Sequence, residues 1–183
     1  MKKLIADINI TLDAYCDHTA MSADEETHEH YNELLRYAGL LIYGRKTYQL
    51  MESYWPAIVK NPTGNKPTDD FAVAIDNIPK IVFSHTLKNV KWKTARLAKR
   101  DIKEEVLGLK QQTGRSIFVG SPSLIVTLMK LDLIDEYQLC VQPIVVGSGL
   151  SLFKNINDRI NLSLIKTKTF GSGAIILYFE PKK

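Results

Sequence analysis

The sequence predicts an α/β protein with a mostly parallel sheet and a C-terminal antiparallel hairpin. Three observations carry that expectation. Short apolar runs of strand character alternate with segments of helical periodicity along most of the chain. Two of those runs, Leu40–Tyr43 and Ser116–Val119, pass through a glycine and straight into a helix. The closing segments, Asn161–Lys168 and Ala174–Glu180, alternate with period two on either side of Gly171-Ser172-Gly173, the pattern of a hairpin. With 183 residues, 45% hydrophobic and 24% charged, the chain has a globular composition, and one domain is expected over 1–183.

Taken in order, Leu4–Leu12 places Leu4, Ala6, Ile8, Ile10 and Leu12 on one strand face and Ile5, Asp7, Asn9 and Thr11 on the other. The polar face marks either an edge strand or the wall of a cleft. Asp13 follows directly, where ligands of open α/β sheets sit. Ser22-Ala23-Asp24-Glu25 reads as a capping box with Ser22 as N-cap. The helix it opens uses Tyr31, Leu34, Leu35 and Ala38, and Gly39 ends it. After the strand Leu40–Tyr43, Gly44 allows a sharp turn, and Thr47 is expected to cap a helix from Tyr48 to about Pro56. Asn61–Asp70 is a loop, with Thr68 capping a short helix to Ile75. Lys80–Phe83 is a third buried strand, and a short strand is expected near Thr94–Leu97. Asp101 opens a helix built on Ile102, Val106 and Leu109 that Gly114 closes. Ser116–Val119 then leads through Gly120-Ser121-Pro122-Ser123 into a helix carrying Leu124, Leu128 and Leu131, and Tyr137–Val141 is the next strand.

Two of these junctions have the chemistry of anion sites. At Gly44-Arg45-Lys46-Thr47 a glycine turn, two cations and a helix N-terminus coincide. At Gly120-Ser121-Pro122-Ser123 a glycine and two hydroxyls precede another helix. Ser84 and His85 leave a third strand end and are also placed for phosphate. Two strand–glycine–helix sites suit a ligand with more than one phosphate.

Several classes are excluded. Gly39–Thr47 approaches a phosphate-loop pattern, but Leu-Leu-Ile-Tyr fills the space where flexible backbone is needed. No GxGxxG follows either glycine pair, Gly147/Gly149 or Gly171/Gly173. His28 and His30 are two apart on a helix and point to different sides, so no metal site is expected. The net charge of +4 lacks a dense basic block, which disfavours nucleic acid. The two cysteines, Cys16 and Cys140, fit a reducing compartment. No stretch reads as a signal peptide or membrane span, and a cytoplasmic protein is expected.

The order Gly44-Arg45-Lys46-Thr47, Ile81-Val82-Phe83-Ser84 and Val119-Gly120-Ser121 resembles the dihydrofolate reductase fold, a three-layer α/β/α arrangement. Leu131-Asp132-Leu133-Ile134-Asp135-Glu136, Pro143–Gly149 and Thr11-Leu12-Asp13-Ala14 are similar to one branch of it. That branch holds the reductase domain of the riboflavin-biosynthesis deaminase-reductase and its stand-alone relatives. The resemblance covers essentially the whole chain. It implies an NADPH-dependent reductase of a small heterocyclic or carbonyl substrate. Dihydrofolate or pterin reduction, or nucleotide binding without turnover, are the alternatives.

Carried over by position, Gly44, Arg45, Lys46 and Thr47 would hold the 2′-phosphate and diphosphate side, with Ser84 and His85 near the 2′-phosphate. Gly120, Ser121, Pro122, Ser123 and Leu124 would cradle the diphosphate, and Asn9 matches the strand position beside the nicotinamide. The accompanying proton would come from Asp13, from a first-helix acid such as Glu26, or from water. Val119 stands where the branch typically carries an acid. Relatives dimerise, which implies a homodimer; Leu131–Ile134 and Tyr137–Val146 are either its face or part of the core.

Overall fold

The computed structural model describes residues 1–19, 24–154, 156 and 158–182. Eight strands form one sheet: β1 (Leu4–Thr11), β2 (Ala38–Gly44), β3 (Lys80–Phe83), β4 (Ala95–Leu97), β5 (Ser116–Val119), β6 (Glu136–Gln142), β7 (Leu162–Thr169) and β8 (Ile175–Pro181). Five helices connect them: α1 (Glu25–Tyr37), α2 (Arg45–Lys60), α3 (Lys66–Asn77), α4 (Ile102–Lys110) and α5 (Pro122–Lys130). The strand order is β4-β3-β2-β5-β1-β6-β8-β7. The first six of these in space are parallel, and β8 and β7 join antiparallel, as the terminal hairpin predicts.

The period-two pattern of β1 is read out on both faces. Leu4, Ala6, Ile8 and Ile10 pack with Val106 and Leu109 of α4 and with Ile125 and Leu128 of α5. Ile5 packs on the other side with Leu34 and Leu35 of α1, Tyr48 of α2 and Ile75 of α3. Two helical layers therefore sandwich the sheet. β1 lies between β5 and β6, so its polar residues are not an edge facing open water. They line a cleft. The crossover from β1 passes β5 to reach β2, and that from β5 passes β1 to reach β6, which makes the β5/β1 pair the switch point.

Element ends correct several sequence expectations. α2 begins at Arg45 with Gly44 as its N-cap, so Thr47 sits inside the first turn, not at the cap. Gly44 has φ −79°, an extended conformation open to any residue, so no left-handed turn is made there. The helix also continues through Pro56 to Lys60, held by Trp55 against Phe71 of α3 at 4.5 Å between ring centres. α3 starts at Lys66; Asn65, not Thr68, caps it, and its Oδ1 accepts from the Thr68 N–H. Asp24 accepts from the Thr27 N–H at the start of α1, while Ser22 lies outside the described residues. α4 ends at Lys110, before Gly114. Leu133, Ile134, Tyr137 and Leu139 are core residues, whereas Ile144 and Val145, at the end of the same stretch, are exposed.

Gly39 does not end α1 either, since the helix stops at Tyr37 and Gly39 lies within β2 at an irregularity in its pairing with β5. A Cβ there would stand 2.9 Å from Arg115 Cβ and 3.0 Å from its carbonyl oxygen. Glycine is needed because the neighbouring backbone is too near. Gly39→Ala is expected to lower stability by about 1–3 kcal/mol, seen as a lower urea midpoint. An unchanged midpoint would show that β2 and β5 can separate at no cost.

Candidate functional site

The two glycine junctions meet. Ile42 of β2 is in register with Val119 of β5, the last pair of that ladder, so Gly44 and Ser121 each lie two residues beyond it. There the Gly44 N–H donates to Ser121 Oγ at 2.9 Å, and Ser121 is buried. α2 leaves toward one face of the sheet and α5 toward the other, with their N-termini side by side. Asp24, Asn65 and Asp101 cap α1, α3 and α4 with side-chain acceptors. α2 and α5 have no such bond. Their first-turn N–H groups remain available to an outside acceptor, at the positive ends of two helix dipoles.

The other predicted cofactor residues surround this point. Arg45 and Lys46 are exposed, and Arg45 Nη1 lies 3.4 Å from Gln49 Oε1. Ser123 Oγ and Leu124 Cγ both approach Gly44, within 3.7 Å of where a Cβ would stand. Gly44 is in register with Phe83 of β3, so Ser84 and His85 emerge on the same sheet edge. Ser84 Oγ accepts from the Thr86 and Leu87 N–H groups, which makes it part of a local turn, and His85 is exposed.

The cleft itself comes from unequal strand lengths. β1 pairs with β5 only as far as Ala6 and Val119, then continues alone against β6 to Thr11 and Gln142. β5 turns away at Gly120, where a Cβ would stand 3.2 Å from the Asp7 carbonyl oxygen. A side chain there would press on β1, whose backbone would have to give by a few tenths of an ångström. Two adjoining cavities open there, of about 460 and 290 Å³, and both are lined by Asp7, Asn9, Thr47, Met51 and Gly120. The larger also carries Lys46, Pro122, Cys16 and His18. The smaller runs beneath α1, with Thr27, Tyr31, Tyr43, Trp55, Phe71 and Phe118 in its walls.

Asp7, in the sequence one of four side chains on a strand face, is a candidate site residue. Its Oδ1 is sealed from solvent and has no hydrogen-bond partner among the described residues. Burial disfavours the charged form and raises its pKa from the ordinary 3.8 to about 7. Thr27 Oγ1 and Tyr31 Oη, in the same cavity, are also buried without a well-formed bond. Burial, with the Asp7 charge adding to it, holds the Tyr31 hydroxyl well above its ordinary pKa. Asn9 Oδ1 accepts from Gln142 Nε2 at 3.2 Å. Val119 is buried in the core, and Asp7 follows its register partner Ala6. An aspartate in the middle of a strand otherwise fit for full burial was the available signal.

Asp13 and Glu26 are placed differently from what proton donation requires. Asp13 accepts from the Thr11 hydroxyl at 2.6 Å and from the Val146 and Gly147 N–H groups. These bonds, led by Thr11, hold its pKa below the ordinary value. It joins the turn after β1 to the loop after β6. Glu26 is exposed, and its Oε2 accepts from the Gly171 N–H at 2.9 Å, fastening α1 to the β7–β8 loop. Neither lines the two cavities. Burial raises both thiols, Cys16 and Cys140, to about 11, which leaves them poor nucleophiles.

Comparison with known proteins agrees with this architecture. The family model of the RibD C-terminal domain matches residues 2–176. The uncharacterized protein YyaP of Bacillus subtilis (strain 168) is 30% identical over 183 residues, covering 98% of this chain and 95% of its own. A solved structure from Shewanella sp. PV-4, provisionally named for riboflavin biosynthesis, superposes with a TM-score of 0.77 at 19% identity over 99% of each chain. The riboflavin biosynthesis reductase Rib7 of Saccharomyces cerevisiae gives a TM-score of 0.62 at 16% identity over 99% of this chain and 90% of its own. At those identities the two structures speak for the fold: the dihydrofolate reductase-like arrangement of the riboflavin reductases.

Asp7 also generates a stability test. Between pH 3.8 and about 7 the folded chain holds a proton on Asp7 that the unfolded chain releases. Wild-type stability therefore falls as pH rises through that window. Asp7→Asn removes the dependence, so the variant should be the more stable at pH 8, by up to about 4 kcal/mol, with the gap closing toward pH 4. Denaturant titrations at a series of pH values measure this. A gap independent of pH would show that the carboxyl ionises normally.

Proposed function

The chain belongs to the RibD C-terminal domain family, and on that premise we propose that it is an NADPH-dependent reductase. It delivers hydride to a small heterocyclic or carbonyl substrate, as 5-amino-6-(5-phosphoribosylamino)uracil reductases do. The supporting observation is the pair of helix N-termini without side-chain caps, held together by the Gly44–Ser121 bond at the mouth of the cleft. The N–H groups there, with Arg45 and Lys46 beside them, fit a dinucleotide carrying several phosphates. The close approach of Gly120 to β1 fits it too, because a side chain would crowd that corner.

NADPH, when bound, supplies the hydride. Arg45 and Lys46 would bind the phosphate that distinguishes NADPH from NADH, with Ser84 and His85 on the same edge. Gly120, Ser121, Pro122, Ser123 and Leu124 would form the diphosphate cradle. Ser121 acts there mainly by fixing the Gly44 turn. Asn9, whose amide is held by Gln142, presents its strand to both cavities. The larger cavity would take the reactive end of the cofactor and the smaller the substrate, so Asp7 stands between donor and acceptor. Its carboxyl retains a proton near neutral pH and would give it to the substrate atom left electron-rich by reduction. Asp7 takes the part that Asp13 and Glu26 were expected to play.

Reduction of a pterin is a second reading, favoured by a carboxyl buried among aromatic walls. A homodimer would use the exposed apolar side chains Leu12, Val145 and Leu150. Direct titration is the test: NADPH should bind more tightly than NADH, and Arg45→Ala should erase most of the difference, about tenfold. Equal affinity of the wild type for both would remove Arg45 from its assigned place. Binding of neither would end the reductase reading.

A further inference from the structure

We propose that the smaller cavity takes an uncharged, flat nitrogen heterocycle without a phosphate, held by its N–H edge on Asp7, Thr27 and Tyr31. This rests on the reductase reading for its placement next to the cofactor, and it departs from the phosphoribosyl substrate of the riboflavin pathway. Three observations carry it.

The first is charge. Among the described residues no lysine or arginine lines the smaller cavity, and His28 is the one side chain there able to become a cation. Lys46 opens on the larger cavity only. The first turn of α2 reaches the smaller one through Thr47 alone. A phosphate needs cations or several N–H donors to leave water. Here it would meet aromatic walls and a carboxyl.

The second is shape. Trp55, Phe71, Tyr43 and Phe118 wall a space of about 290 Å³, at the small end of ligand cavities and suited to one or two fused rings.

The third is the set of unsatisfied polar atoms. Asp7 Oδ1 is buried with no hydrogen-bond partner among the described residues. Thr27, 3% exposed, holds its hydroxyl beside Asp24, and Tyr31 holds its own beside Asn9 and Cys140, neither in a well-formed bond. Buried groups left so cost stability unless something bonds to them. A protonated carboxyl offers one donor and one acceptor side by side, which matches the N–H and ring nitrogen, or N–H and carbonyl, of a heterocyclic edge. The two hydroxyls each add a donor and an acceptor. A phosphate dianion, which only accepts, would use the donors of this set and leave its acceptors unpaired.

The experiment is calorimetric titration of the wild-type protein, without NADPH, using a ribitylamino-substituted aminopyrimidinedione and its terminal phosphate ester. The unphosphorylated form should bind at least about tenfold more tightly. Asp7→Ala and Thr27→Val should each weaken it about tenfold, the range expected when one buried hydrogen-bond partner is lost, with circular dichroism unchanged. Equal or tighter binding of the phosphate ester would overturn the proposal, as would binding of neither form by a protein that binds NADPH. Full affinity in both variants would overturn the assigned edge. NADPH is titrated separately. A protein that takes the unphosphorylated ring but not NADPH keeps the cavity assignment and loses the reductase reading.

Discussion

The hydrogen bond from the Gly44 N–H to Ser121 Oγ fixes the geometry on which the site depends. It ties together two chain reversals that serve helices on opposite faces of the sheet. Each helix brings about half a positive charge to the junction, and without an anion those two ends repel. The fold holds them together through the β2–β5 ladder and the buried serine. On the proposed reading, an anion would find this junction already formed, with little left to order on binding.

A second constraint is the mismatch between β1, with eight residues, and β5, with four. Where β5 leaves, the ladder partner of β1 is missing and a hollow forms in what would otherwise be packed sheet. The apolar residues of β1 still anchor it on the α4–α5 side. The polar ones on the α1 side are left facing space. A carboxyl at Asp7 is tolerable because the hollow is narrow enough to keep it neutral and wide enough to admit a partner. Asp13 secures the rim from behind by holding the loop after β6.

Strand positions were legible in the sequence because buried parallel strands are short apolar runs with turn residues at each end. Ser116–Val119 and Lys80–Phe83 agree to the residue. Helix starts were less legible where two capping residues compete within three positions. Thr47 lost to Gly44, and Thr68 to Asn65, because tertiary packing chose which turn began the helix. The two glycine junctions could be located in the sequence because each motif is local. The inner side could not. Asp7, Thr27 and Tyr31 come from two elements, and only the packing of α1 over β1 brings them together. Alternation along β1 showed a polar face but not what covers it. Asp13 and Glu26 drew attention as acids near predicted loop and helix starts, and the backbone N–H groups that occupy them are distant in sequence.

Asp7 belongs to both cavities, and this has a thermodynamic consequence. Any occupant that alters its ionisation from one side alters the affinity of whatever enters from the other, by an equal and reciprocal factor. Proton uptake or release on filling one compartment would then report, in buffers of different ionisation heat, on the state of the other. A single side chain would make the two halves of the cleft cooperative without any movement of the backbone.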